Sequence, residues 1–268
     1  MEMKRLIAAL FILVTVFSSC SEYSKALKET DPVKKLASAK SYYEQGECYK
    51  ALPMLEELIG LTRGTQKSEE VYYYFAKTHY CLQDYYMGNY YFKSYAKSFS
   101  SSEKAEECSF MAALCSYKLS PSFTLDQTDS KTAIDELQYF LDQYPASALR
   151  DSANRMIRDL NFKIEKKDFE VAELYVQTMK YKAASSSLQE FLKKYPQSIY
   201  RERAMLLIIE SKFLLAEGSI DTKKLERYRE TMESYITFVS AFPKSKSLDS
   251  AEEYYLKSEK MVAKLTIK

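Results

Sequence analysis

Few side chains in this sequence have the type and spacing that covalent chemistry requires. There is one histidine, His79, in 268 residues, so imidazole acid–base work and imidazole metal ligation have little material. His79 falls where a repeated pattern elsewhere carries Tyr42 and Tyr175, which makes it core filler. The carboxylate pairs Glu56-Glu57, Glu69-Glu70 and Glu252-Glu253 are adjacent in sequence. Neighbours on a helix diverge by about 100°, so these pairs form solvated faces rather than a two-carboxylate site. Cys48, Cys81, Cys108 and Cys115 show no Cys-x-x-Cys spacing, which removes the usual zinc and redox motifs. Cys108 and Cys115 lie about 10 Å apart along one helix, beyond disulfide reach. Small buried apolar residues is the favoured reading of all four, although an exported chain could pair some of them. No Ser/His/Asp or Cys/His nucleophile arrangement is present. The expectation is a protein that is not an enzyme and holds no metal or cofactor.

Binding chemistry is better supplied. The chain has 24 Tyr and no Trp, with 39 basic and 37 acidic side chains. That charge balance argues against nucleic acid, which demands a cationic surplus. Tyrosine offers broad contact area at low entropic cost, with a hydrogen-bonding tip suited to peptide. Tyr72-Tyr73-Tyr74, Tyr80, Tyr85-Tyr86 and Tyr90-Tyr91 crowd one stretch, and a single helix cannot bury all of them.

The elements that position these residues repeat. Ala39, Tyr42, Ala51, Leu55 and Leu58 recur 37 residues later as Ala76, His79, Gly88, Phe92 and Tyr95, and again as Ala172, Tyr175, Ala184, Leu188 and Phe191. Small, aromatic, small, large, large is the pattern of the tetratricopeptide (TPR) helix–turn–helix. Small residues let two helices cross closely and large ones fill the space beside the crossing. Ala133, Leu137, Phe140 and Thr231, Tyr235, Phe238 extend the pattern to five units. Tyr144-Pro145-Ala146-Ser147, Tyr195-Pro196-Gln197-Ser198 and Phe242-Pro243-Lys244-Ser245 close three of them, with Pro ending one helix and Ser capping the next.

The expected fold is therefore all-α, a solenoid of about five TPR-like repeats with a capping helix at 247–265. Inserted loops are expected at Ser120 to Ser130 and around Gly218 to Asp221. Leu149 to Thr178 reads as a long connecting helix, since it lacks Pro and Gly. Repeats 1–3 would occupy residues 32–146, and the C-terminal half residues 147–268. In such a solenoid the first helices line a groove. The register puts Tyr43, Tyr73, Lys77, Tyr80, Phe110 and Tyr117 on it as a protein-binding surface.

The N-terminus carries an address. Lys4 and Arg5 precede an apolar run from Leu6 to Phe17, too short to span a bilayer. Phe17-Ser18-Ser19-Cys20 resembles the lipobox of bacterial lipoproteins, with Phe17 in place of the usual Leu. Residues 1–19 would be the signal peptide and 20–31 a lipidated linker. The expected lipidation is a diacylglyceryl group (palmitate-type chains) on Cys20, several of whose acyl chains would hold a membrane stably.

Together these features resemble the BamD family of the outer-membrane β-barrel assembly machinery, in its Bacteroidetes form. The likeness is carried by Leu119-Ser120-Pro121, Leu125-Asp126-Gln127-Thr128, Phe140-Leu141-Asp142-Gln143-Tyr144-Pro145-Ala146-Ser147 and Phe169-Glu170-Val171-Ala172. It implies a non-enzymatic scaffold, lipid-anchored to the periplasmic face of the outer membrane. Its N-terminal repeats would meet unfolded outer-membrane β-barrel proteins, and its C-terminal repeats would dock the barrel insertase BamA. Alternatives are a periplasmic TPR adaptor of envelope division or a SusD-like glycan-binding lipoprotein. The SusD class is about twice as long and uses Trp platforms.

Overall fold

The computed structural model describes residues 22–267, so Cys20 and the expected signal peptide lie outside it. The described residues form eleven long helices and no strands, preceded by a helical stretch at residues 22–27. In order these are α1 (Pro32–Glu44), α2 (Cys48–Leu61), α3 (Ser68–Cys81), α4 (Tyr85–Ser98), α5 (Ala105–Leu119), α6 (Thr128–Gln143), α7 (Arg150–Gln177), α8 (Tyr181–Lys194), α9 (Arg201–Glu217), α10 (Asp221–Ala241) and α11 (Leu248–Thr266). Two compact units divide at Leu160/Asn161, inside α7, whereas the sequence suggested 146/147.

The N-terminal unit stacks the hairpins α1–α2, α3–α4 and α5–α6. The small residues sit where the pattern requires: Ala39, Ala51, Ala76 and Ala133 are fully buried, beside Leu55, Leu58, Phe92 and Phe140. Burying each large side chain contributes about 1.5–3 kcal/mol. Gly88 packs closely, since a Cβ there would stand 3.1 Å from Cys115 Sγ and that side chain would have to give by a few tenths of an ångström. Three hairpins turn through the same left-handed residue, Gly46 (φ 79°), Gln83 (φ 60°) and Met179 (φ 58°). Each lies five residues before the small residue of its second helix. The amide after each donates to the carbonyl of Tyr42, His79 or Tyr175, closing the first helix.

The turns between hairpins are also built alike. Ser102, Ser147, Ser198 and Ser245 each accept from a backbone amide two residues ahead. Each then donates to a glutamate one hairpin earlier: Ser102 to Glu69 (2.6 Å), and Ser147 to Glu106, Ser198 to Glu165 and Ser245 to Glu202 (2.5 Å each). One hydroxyl thus braces the turn that leads into a helix and ties that turn to the preceding hairpin; it does not cap the helix, since α5, α9 and α11 have no side-chain bond to their first-turn amides.

The single run of α7 serves two cores. Ala153 and Leu160 pack with Phe140 in the N-terminal unit, while Phe169 and Ala172 pack with Leu188 and Phe191 in the C-terminal one. In the latter, α9 is buried along its length and α11 covers it through Ala251, Tyr254 and Met261. The loop expected around Gly218 to Asp221 falls at residues 218–220, and Asp221 to Arg229 extends α10 with Tyr228 buried.

The cysteines divide. Cys48 and Cys81 form a disulfide between the start of α2 and the end of α3, which corrects the reading of all four as free apolar residues. Antiparallel packing of these helices brings together residues 33 apart in sequence. Cys108 and Cys115 are free and buried.

Candidate functional site

On the face shared by α1, α3 and α5, tyrosine rings and lysines interleave. Tyr43 meets Tyr74 edge-on at 5.6 Å, and Tyr74 meets Tyr73 at the same distance. Lys77 Nζ lies 5.5 Å from the Tyr43 ring centre and 4.9 Å from that of Tyr73; Lys104 Nζ lies 4.2 Å from the latter. Ammonium groups this close to ring faces are held by the ring quadrupole.

Two successive helix junctions on this face carry the same charges in different states. Between α1 and α3, Lys40 pairs directly with Glu70 at 2.6 Å. Thirty-seven residues on, the equivalents Lys77 and Glu107 are bridged by a phenol. Tyr73 OH donates to Glu107 (2.9 Å) and accepts from Lys77 (3.3 Å). Burial and then the Glu107 contact push the Tyr73 phenol well above its ordinary range, so it stays protonated as a donor. Burial also raises Tyr43. Among the described residues neither Lys77 nor Lys104 has a carboxylate within ion-pair distance. The face therefore offers two cations and the aromatic edges of Tyr43 and Tyr74 to an incoming anionic or aromatic group.

Of the six residues expected on the groove, the structure brings together Tyr43, Tyr73 and Lys77. Tyr73 is only 7% exposed and packs with Tyr95 and Ala112, so it frames the site from beneath instead of presenting its ring. Phe110 is 8% exposed and faces Phe140, which places it in the core. Tyr80 packs edge-on against Tyr85 at 5.6 Å. Tyr117 is half-buried and reaches Asp159 on α7. Tyr74, Lys104 and Glu107 were missed. Adding 37 to Lys67 and Glu70 would have located the last two.

His79 is buried as filler, stacked on Tyr91 and contacting Asp84 at 3.1 Å. Among the described residues no group of three or more His, Cys, Asp or Glu could hold a metal ion, and no helix is long and apolar enough to cross a membrane.

A family model described as YfiO, outer membrane lipoprotein, matches residues 29–227. No curated protein matches the chain. Among solved structures, the TPR2AB-domain:pHSP90 complex of yeast Sti1 is 14% identical with a TM-score of 0.41, over 85% of this chain and 98% of that one.

Proposed function

Because the chain belongs to the YfiO outer membrane lipoprotein family, we propose that it is a non-enzymatic scaffold of β-barrel assembly at the outer membrane. The family match over 29–227, on a chain made of helix hairpins, carries this reading. A lipid on Cys20 would hold it at the periplasmic face, and no other cofactor is needed. The N-terminal unit would receive extended segments of unfolded barrel proteins, and the C-terminal unit would dock a BamA-type insertase.

The chemistry of the α1–α3–α5 face suits such a client. Barrel strands carry aromatic girdles, and aromatic pairs contribute about 0.5–1.5 kcal/mol beyond burial. Lys77 and Lys104 would add attraction for a carboxylate, about 0–1 kcal/mol each where solvent-exposed. Several weak contacts permit capture with release.

The test is binding of a labelled barrel C-terminal peptide to the full chain. Lys77→Glu with Lys104→Glu should weaken it several-fold while insertase docking persists. Unchanged peptide affinity, or loss of docking instead, would reject the assignment of clients to this face.

A further inference from the structure

The second helices of the hairpins, α2, α4 and α6 in the N-terminal unit and α8 and α10 in the C-terminal unit, face one another within each unit across the first helix that lies between them. The floor of each gap is the intervening first helix. Counting 7, 10 and 14 residues from the turn hydroxyl (Ser102, Ser198 and Thr65, which like them accepts from an amide two residues ahead) gives the floor side chains, and the eighth residue past each second helix's small residue gives one wall. Between α2 and α4 these are Tyr72, Phe75, His79 and Ile59. Phe75, His79 and Tyr72 close on Tyr91 at 4.5, 5.4 and 6.5 Å, and the gap is filled. Between α8 and α10 they are Met205, Ile208, Lys212 and Leu192, leaving about 280 Å³. Between α4 and α6 they are Ser109, Ala112, Ser116 and Ala96. Every one is small, and an open cleft of about 650 Å³ remains.

Polar contacts join the two walls at one end of the cleft. Glu136 on α6 accepts from Asn89 (2.7 Å) and Lys93 (2.5 Å) on α4 and from Ser116 (2.8 Å) on α5. Asn89 also donates to the Ala112 carbonyl at 2.9 Å. Farther along, Lys97 lines the α4 wall and Asp135 the α6 wall; both are exposed and neither has an ion pair among the described residues. Tyr139 is 61% exposed beside them. Aliphatic and aromatic volume present in the sister gaps is missing here, and the two walls carry opposite charges.

We propose that this cleft docks an amphipathic α-helix of a partner protein. The helix would set two large apolar side chains over Ala96 and Ala112, an acidic residue toward Lys97 and a basic one toward Asp135. A helix suits the site because its backbone groups are already paired and its side chains can reach both charged walls from one axis. Small floor residues let the incoming backbone approach closely.

The probe is a panel of synthetic amphipathic helical peptides of about 18 residues, long enough to hold a helix. Each carries Leu or Phe at i, i+3 and i+7, with Glu on one flank and Lys on the other or the flanks exchanged. Fluorescence anisotropy against the full chain should show saturable binding by one charge arrangement. Ser109→Met with Ala112→Ile, which writes in the C-terminal unit's residues, should weaken binding at least tenfold with helicity retained. Should that filled variant misfold, Lys97→Glu still decides, since it should invert the preference between the two arrangements. Lys77→Glu with Lys104→Glu should leave binding unchanged, which separates this cleft from the precursor-binding face. Absence of binding across the panel, or affinity untouched by both filling and charge reversal, overturns the proposal. Self-association of the wild-type chain that filling abolishes would make the occupant a second copy and overturns it equally.

Discussion

The two units build the same hairpin by different means. The N-terminal unit joins its helices with polar and covalent ties: the Cys48–Cys81 bridge, the Tyr95–Glu69–Ser102 cluster, and Glu136 gathering Asn89, Lys93 and Ser116. The C-terminal unit has polar ties as well, with Asp168 accepting from Tyr195 (2.8 Å) and Lys194 (2.7 Å), but no disulfide among the described residues, and it buries Met205, Leu207, Ile208, Ile209 and Phe213 of α9 together. What they share is the small residue at each helix crossing, the left-handed turn residue and the turn serine. Backbone geometry is therefore set by few positions, and the others are left to differ. Within the N-terminal unit itself, small floor residues leave the α4–α6 gap open while aromatic rings fill the α2–α4 gap.

That contrast is most severely tested by cutting the covalent tie. A bridge between residues 33 apart should stabilise the N-terminal unit by about 3–4 kcal/mol through loop-closure entropy. Replacing Cys48 and Cys81 with Ala should lower the N-terminal denaturant midpoint and leave the C-terminal one in place. A common shift of both transitions would show that the units do not unfold separately.

A gentler comparison uses the turn residue, because its geometry is alike in both units. Gln83→Gly and Met179→Gly should each gain about 0.5–1 kcal/mol, since a side chain at positive φ is strained and glycine returns only part of that as entropy. Gain in one unit and loss in the other would reveal a side-chain role at the losing site.

The smallest expected effect is acidic. Hydrogen bonds from Ser102 and Tyr95 hold Glu69 below its ordinary value, and the Lys40 contact does the same for Glu70. A lowered folded-state value means stability that is complete above the unfolded value of about 4.5 and is lost as pH falls through the folded one. Glu69→Gln with Glu70→Gln should flatten the acid limb of the N-terminal transition, followed by thermal melts between pH 3 and 6 (roughly the carboxylate range). An unaltered limb would assign acid sensitivity to other groups.

Much of the fold was legible in the residues. The spacing of Ala39, Tyr42, Ala51, Leu55 and Leu58 carries helix period, hairpin and crossing at once, so its recurrence located the hairpins. Absence of Pro and Gly from Leu149 to Thr178 revealed α7. Side-chain direction within a register was harder. Tyr73 and Phe110 were placed on a surface because first helices line a groove, yet rotation of α3 and α5 turns both rings toward neighbouring helices. The Cys48–Cys81 pair has no local signature, since it depends on two helices lying antiparallel. The cleft over Ser109 and Ala112 becomes visible in the sequence only when corresponding positions of all repeats are set side by side.

The two thiols left unpaired among the described residues, Cys108 and Cys115, can act as a built-in gauge of opening when Cys20 carries its lipid. All the cysteines precede residue 116, so the C-terminal unit is silent to any thiol reagent. Burial pushes Cys108 and Cys115 up to about 12, so at neutral pH they stay thiols while α5 is packed. An alkylating reagent added to the oxidised protein would then wait for α5 to leave its neighbours. Its rate of capture would follow the breathing of repeats two and three, without any label being introduced.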